Sequence, residues 1–237
     1  MSDLNTQKPG IFEKLHFSEY KSAVIVEFVG TFLFVLTIPL SAINNSEVSP
    51  LAVGFMLMSL VFSFGYLSGG HFNPAVSFAV WLSTKDFTKD KLILYTLAQC
   101  SGSFAAALYC VMIQGPSFPT PNAGLDVTKM VRAFLAESVY TFVLASVVLH
   151  VANSKQKNNN FYGFAIGMAV LSASLCVGDV SGGAFNPAVA TGLTLMRCLT
   201  TYCVPLANLW LYWASELLGA FVASILYLAL QSIEDQL

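Results

Sequence analysis

The residues with chemistry to offer sit in two nearly identical stretches. Ser68-Gly69-Gly70-His71-Phe72-Asn73-Pro74-Ala75-Val76 recurs as Ser181-Gly182-Gly183-Ala184-Phe185-Asn186-Pro187-Ala188-Val189, and His71/Ala184 is the one difference over nine positions. Proline suits the first position of a helix, where its missing N–H costs nothing. Asparagine is among the best residues just before that position. Each copy therefore reads as a loop that turns abruptly into a short helix. Asn73 and Asn186 can donate and accept hydrogen bonds, which is recognition rather than covalent chemistry. No nucleophile–base pair and no metal-ligand spacing appears in the sequence, so neither an enzyme, a metal nor a cofactor is expected. A repeat of this length inside two apolar blocks points to internal duplication.

The elements that must position these loops are apolar. Hydrophobic residues make up 56% of the 237-residue chain and charged ones 10%, which is a membrane composition rather than a soluble one. The net charge of −2 is thinly spread and gives no footing for nucleic acid. Cys100, Cys110, Cys176, Cys198 and Cys203 show no metal spacing, and four lie in or beside apolar runs. They read as buried small hydrophobes rather than disulfides or ligands. The first twenty residues lack an apolar h-region, so no cleavable signal peptide is expected.

Apolar runs cover about 23–43, 48–67, 92–113, 131–151, 161–177 and 205–230, near the ~20 residues needed to span a bilayer. The pieces at 74–82 and 187–196 are too short to span and read as re-entrant half-helices. Residues 1–20 and 231–237 form tails, 21–113 and 131–230 form the repeats, and 114–130 connects them. Glu27-Phe-Val-Gly-Thr31-Phe32 resembles Glu137-Ser-Val-Tyr-Thr141-Phe142. Leu94-Tyr95, Gly102 and Phe104 match Leu211-Tyr212, Gly219 and Phe221 without a gap. Three spans per repeat force the repeats into opposite orientation. With the N-terminus inside, the inner segments hold Lys8, Lys14, Lys21, Lys85, Lys89, Lys91, Lys155 and Lys157, whereas the outer ones hold Lys129, Arg132 and Arg197. Both tails are then cytoplasmic. The sequon Asn44-Asn45-Ser46 faces outward, too close to the membrane to be expected to carry a glycan.

Two Asn-Pro-Ala loops in inverted three-span halves, each half with a Glu in its first span, resemble the aquaporin (major intrinsic protein) family over about 24–228. The resemblance implies an all-α fold: a right-handed bundle of six transmembrane helices with two half-helices meeting at mid-membrane. It also implies a homotetramer in the lipid bilayer, with one pore per subunit for water and small neutral solutes. Two helix N-termini meeting there would repel cations. Asn73 and Asn186 would point their amides at the pore, and a water held by both cannot relay a proton. Glu27 and Glu137 would hold the loop backbone from behind, since a membrane carboxylate is costly unless satisfied. His71 is open to two readings, a loop histidine hydrogen-bonded to backbone or a pore-lining group, and the resemblance favours the second. Gly102 and Gly219 fit close helix packing. Glu216 matches Gln99 in the repeat, where many relatives carry proline or an apolar residue, and is expected to brace the second loop as Gln99 braces the first.

One position departs from the family pattern. Relatives usually place Arg three residues after the second Asn; here it is Val189. Carried over by gap-free spacing, the remaining filter positions fall on Val53, Ser174 and Gly183. The set is small and uncharged, so the outer constriction should be wider and less polar. Width favours glycerol, urea, ammonia or peroxide, whereas apolar lining raises the cost of desolvating them. Ala190 and Tyr212-Trp213 match water channels rather than glycerol facilitators. Two other functions stay open at this point: a non-conducting junctional protein of the same fold, which the intact Asn73 and Asn186 disfavour, and an ion-coupled transporter with Glu27, Glu137 and Glu216 as its ionisable groups. No retrieval tripeptide ends the chain, so the plasma membrane and an organelle membrane are equally compatible.

Overall fold

The computed structural model describes residues 16–235, which are helical with irregular connections and contain no strand. In chain order the helices are α1 (Phe17–Asn44), α2 (Ser49–Ser68), α3 (Pro74–Ser83), α4 (Lys89–Gln114), α5 (Val127–Val148), α6 (Tyr162–Ser181), α7 (Pro187–Thr200), α8 (Val204–Ala207) and α9 (Leu209–Glu234). A π-helical turn, Leu149–Asn153, extends α5. Six of these elements are long and apolar enough to cross a membrane, and α3 and α7 are shorter. Among the described residues their outward faces are apolar, with Leu97, Met112, Val139, Leu175 and Trp210 exposed. That is the reverse of what water would select, and it suits a lipid surround.

Side-chain caps set several starts. Thr88 accepts from the Lys91 amide to open α4, and Asp126 accepts from the Lys129 amide to open α5. Helix ends differ from the sequence expectation in four places. α1 begins at Phe17, inside the stretch read as an irregular tail; the rest of that tail, 1–15, with Lys8 and Lys14, lies outside the described residues. α7 runs to Thr200 rather than ending near 196. The last run is broken at Asn208, whose amide reaches the Asn122 side chain at 3.3 Å, so α8 is a separate turn before α9. α9 continues to Glu234, past the expected end near 230.

The cysteine reading needs correction. Cys198 and Cys203 form a disulfide that ties the end of α7 to the start of α8. Only a tight turn brings residues five apart within bonding reach, and spacing alone does not announce it. Cys110 is buried, but Cys176 is exposed on the apolar surface.

The core is a pair of helix pairs. α1 packs closely on α4, α5 packs on α9, and α2 crosses α6 to join the halves. Glycines permit the approach. A Cβ at Gly102 would stand 2.4 Å from the Phe28 carbonyl oxygen, and one at Gly219 would stand 2.3 Å from the Ser138 carbonyl oxygen. These contacts lie at matching places in the two halves, so the duplication extends from sequence to packing. Gly102→Leu or Gly219→Leu should each lower the thermal unfolding midpoint of the detergent-solubilised protein, by roughly 1–3 kcal/mol of overpacking. Gly178→Ala, which meets nothing within 4 Å, should leave the midpoint unchanged or raise it.

Candidate functional site

The two loops are conformational copies. Gly69, Gly70 and Phe72 have φ of 94°, 64° and 48°; Gly182, Gly183 and Phe185 have 89°, 61° and 47°. Glycine adopts such angles freely, but a bulky residue like Phe72 or Phe185 does so only where the surroundings compel it. The compulsion comes from two fully buried carboxylates. Glu27 Oε1 accepts from the Ser68 hydroxyl at 2.7 Å and the His71 amide at 3.0 Å; Oε2 accepts from the Phe72 amide at 2.7 Å and Gln99 Nε2 at 2.8 Å. Glu137 accepts from the Ala184 amide at 3.0 Å and the Phe185 amide at 2.7 Å. Tyr95 and Tyr212 donate to the Ser68 and Ser181 carbonyls, fixing where each loop leaves its helix.

Asn73 Oδ1 accepts from the Ala75 amide at 2.8 Å, and Asn186 Oδ1 accepts from the Ala188 amide at 3.0 Å. Pro74 and Pro187 occupy the first helical positions behind them. Capping commits each side-chain oxygen and turns each NH2 across to the other loop. Asn73 Nδ2 donates to the Phe185 carbonyl at 2.7 Å, and Asn186 Nδ2 donates to the Phe72 carbonyl at 2.8 Å. α3 and α7 thus point their N-termini at each other inside the bundle. An amide has two N–H groups, so each Asn retains one beyond the cross-loop bond. The sequence pattern directs both amides wholly to the pore; the packing commits one N–H of each to the opposite loop.

Two cavities flank this junction. The wider, about 280 Å³, is lined by Val53, Ser174, Gly183 and Val189, with Pro119 and Pro121 of the connector at its rim. The smaller, about 20 Å³, is lined by His71, Asn73, Asn186, Leu57 and Leu144. Phe34, Val170 and Ala184 line both. The tight segment is therefore at the loops, and the four positions carried over as a filter surround the roomier space. Sequence reasoning missed Phe34, Leu57, Leu144 and Val170. Periodicity contained them: Phe34 and Leu144 each follow the buried Glu by seven residues, on the same helical face, and Leu57 and Val170 each precede the loop Asn by sixteen.

The His71 ring bonds a side chain rather than backbone. Its Nδ1 lies 3.0 Å from the Ser77 hydroxyl, its ring packs 5.0 Å from that of Phe87, and it lines the smaller cavity. Lys91 Nζ stands 5.1 Å from the Phe87 ring and 5.3 Å from the Tyr95 ring beside it. Gln99 Nε2 also donates to the Ser77 hydroxyl at 3.0 Å. Glu216 does not repeat this brace. Among the described residues neither of its oxygens meets a donor with hydrogen-bond geometry. The reason is chemical: a carboxylate has no N–H to offer Glu137, and Ala190 stands where Ser77 stands in the first half. Trp213 is also not in the lining; its Nε1 donates to the Thr191 hydroxyl at 2.9 Å and pins α7.

A family model described as Major intrinsic protein matches residues 14–230. Aquaporin-B of Dictyostelium discoideum is 34% identical over 242 aligned residues, covering 85% of this chain and 80% of the relative. Aquaporin-4 of Mus musculus is 32% identical, covering 86% of this chain and 66% of the relative. Among solved structures, the aquaglyceroporin from Plasmodium falciparum superposes with a TM-score of 0.71 over 88% of this chain and 95% of that one, at 20% identity.

The Glu27 acceptors carry a direct test. Glu27→Gln replaces one acceptor oxygen by a donor facing N–H groups, and each buried donor left unpaired costs about 1–3 kcal/mol. The variant should lose at least about that much stability in thermal or denaturant unfolding. An unchanged midpoint would mean that the loop amides do not depend on the carboxylate.

Proposed function

The chain belongs to the major intrinsic protein family, and from that premise we propose that it is a passive transmembrane channel for water that also admits small neutral solutes. The observation that carries this reading is the reciprocal bond between Asn73 and Phe185 and between Asn186 and Phe72. It fixes two amides at the junction of two helix N-termini, beside a cavity sized for small molecules. The one N–H that each amide retains can donate to a water oxygen. A water held by both donors must turn its own hydrogens away from the junction, so it cannot pass a proton on. The facing positive helix ends oppose hydronium and other cations in the same place. The names of the relatives, aquaporins and an aquaglyceroporin, agree with a channel for water or for water and small solutes.

The outer cavity is uncharged where Val53, Ser174, Gly183 and Val189 meet, so size discrimination falls to the loops and to Phe34 rather than to the mouth. Small solutes enter the vestibule easily and are sorted deeper in. The lysine distribution supports an orientation with both termini cytoplasmic. The disulfide at the end of α7 then lies on the outer, oxidising side, which agrees with that orientation. We assign the functional unit to a homotetramer, the assembly implied by the family resemblance.

Stopped-flow shrinkage of proteoliposomes under an impermeant osmolyte tests the reading. Water permeability should exceed that of empty liposomes, with the weak temperature dependence of a pore. Permeability no greater than in empty liposomes would overturn it. Val189→Arg places a bulky cation in the wider cavity and should cut urea and glycerol uptake roughly tenfold, about 1.4 kcal/mol, while lowering water flux less.

A further inference from the structure

The halves match at nearly every supporting residue, but they differ behind the loops. Tyr95, Gln99 and Gly102 on α4 correspond to Tyr212, Glu216 and Gly219 on α9. In the first half the amide of Gln99 donates to Glu27 and to Ser77, and Lys91 stands within electrostatic reach of Glu27. In the second half the amide is replaced by the Glu216 carboxyl, Ser77 by Ala190, and Lys91 by Asn208. The second site has lost a donor, an acceptor and a cation while gaining a second acid.

The helix packing forces that acid onto its neighbour. Gly219, one turn beyond Glu216, brings α9 against the backbone of Ser138, the residue after Glu137. Both carboxyls are fully buried. Glu216 lies against the Glu137 carboxyl and near the backbone N–H of Asn186. Its two oxygens have no aligned donor among the described residues, and two ionised carboxylates cannot supply one.

The titratable and charged groups on the elements around α9 do not neutralise the pair. From α5 the group facing Glu216 is Glu137 itself; Lys129 and Arg132 lie nearer the helix start and line a separate surface cavity with Asp179. Tyr140 is turned toward Phe185 and Cys176. On α9, Tyr212 donates its hydroxyl to the Ser181 carbonyl. From α7, Arg197 donates to the Pro116 carbonyl and lies against Phe118 and Tyr202. His150 of the π-turn bonds the Ser146 carbonyl and packs on Tyr227. α3 and α8 carry no titratable residue.

We propose that Glu137 and Glu216 share one proton, and that this proton, bridging α5 and α9, holds the second Asn-Pro-Ala loop in its conducting shape. Glu137 still has to accept from the Ala184 and Phe185 amides, so the bridge positions the loop through Glu137. Glu216 is a positioning residue. Like charges at this range cannot both ionise without large cost, and the pair titrates as a unit. Below the pH at which the pair gives up its last proton the bridge is intact. Above it the proton passes to solvent, two carboxylates face each other in an apolar surround, and the loop loses its support. The brace of the first loop, the Gln99 amide, donates at any pH, and Lys91 near Glu27 is common to the wild type and Glu216→Gln, so its titration does not distinguish the two proteins compared below. This inference rests on the channel reading for its transport consequence, but the proton itself is independent of conduction.

Two measurements on the full-length protein in lipid vesicles test it. In infrared spectra the wild type should show the carbonyl stretch of a buried protonated carboxylic acid that disappears on alkaline titration, and Glu216→Gln should lack it. Water permeability of the wild type should fall at least roughly threefold between about pH 7 and about pH 10, a window that includes the values documented for buried carboxyls. In Glu216→Gln, whose amide can donate to Glu137 as Gln99 does to Glu27, the ratio between the two pH values should approach one. An acid band untouched by the substitution, or equal pH profiles in both proteins, would overturn the proposal. If vesicles conduct no water at any pH, the channel reading fails and the infrared band alone decides the proton. If Glu216→Gln does not fold, the wild type alone decides: its acid band must disappear over the same pH interval in which its water permeability falls, and a band that persists through that fall would overturn the proposal.

Discussion

Everything in this molecule depends on satisfying non-helical backbone deep inside an apolar bundle. A peptide N–H without a partner there costs several kcal/mol. Two loops nevertheless interrupt the helices at the level where the half-helices meet. They persist because Glu27 and Glu137 accept their amides and because Tyr95 and Tyr212 donate to the carbonyls where the loops begin. The left-handed Phe72 and Phe185 are the visible cost of that arrangement, and the carboxylates are what offsets it.

The Asn side chains then do two jobs with different atoms. The oxygen caps a half-helix, which any well-placed Asn can do. The nitrogen crosses to the other loop, which only this packing permits. The crossed bonds make each loop a support for the other, so a defect in one is felt by both. They also leave one N–H per amide for the pore. In the channel proposed above, recognition at the junction is consequently sparse, and selectivity is assigned to a few fixed donors, the helix ends and the apolar Phe34, Leu57, Leu144 and Val170 that line the smaller cavity.

Departures from internal symmetry show where this chain has specialised. The lining on one side of the junction carries His71, held by Ser77 and packed on Phe87; its mate is Ala184, which lines the wider cavity. At Val189 the symmetry holds instead: the position three residues after each Asn carries the same apolar residue, Val76 and Val189. Glu216 replaces an amide with an acid at a buried contact. Each change leaves the helix frame intact, because Gly102 and Gly219 keep the same close crossing in both halves.

The sequence alone determined the spans, the half-helices and the two-fold plan. Those follow from apolar length, from Asn-Pro at helix starts and from repeated Glu, Tyr and Gly spacings, all of which act over a few turns of one helix. It also contained Phe34 and Leu144, at helical spacing from the buried carboxyls, though nothing local marked them as facing a cavity. Tertiary structure decided the rest. The Asn73 amide meets a carbonyl 112 residues away, and the Asn186 amide meets one 114 residues away. Neither partner can be read from its own segment. The Cys198–Cys203 bond needed the turn after α7, and the carboxyl contact of Glu137 with Glu216 needed the glycine-mediated approach of α5 and α9. Local pattern sets which segments are helices, loops and half-helices; only close packing sets which polar groups end up face to face in a medium where an unpaired one is costly.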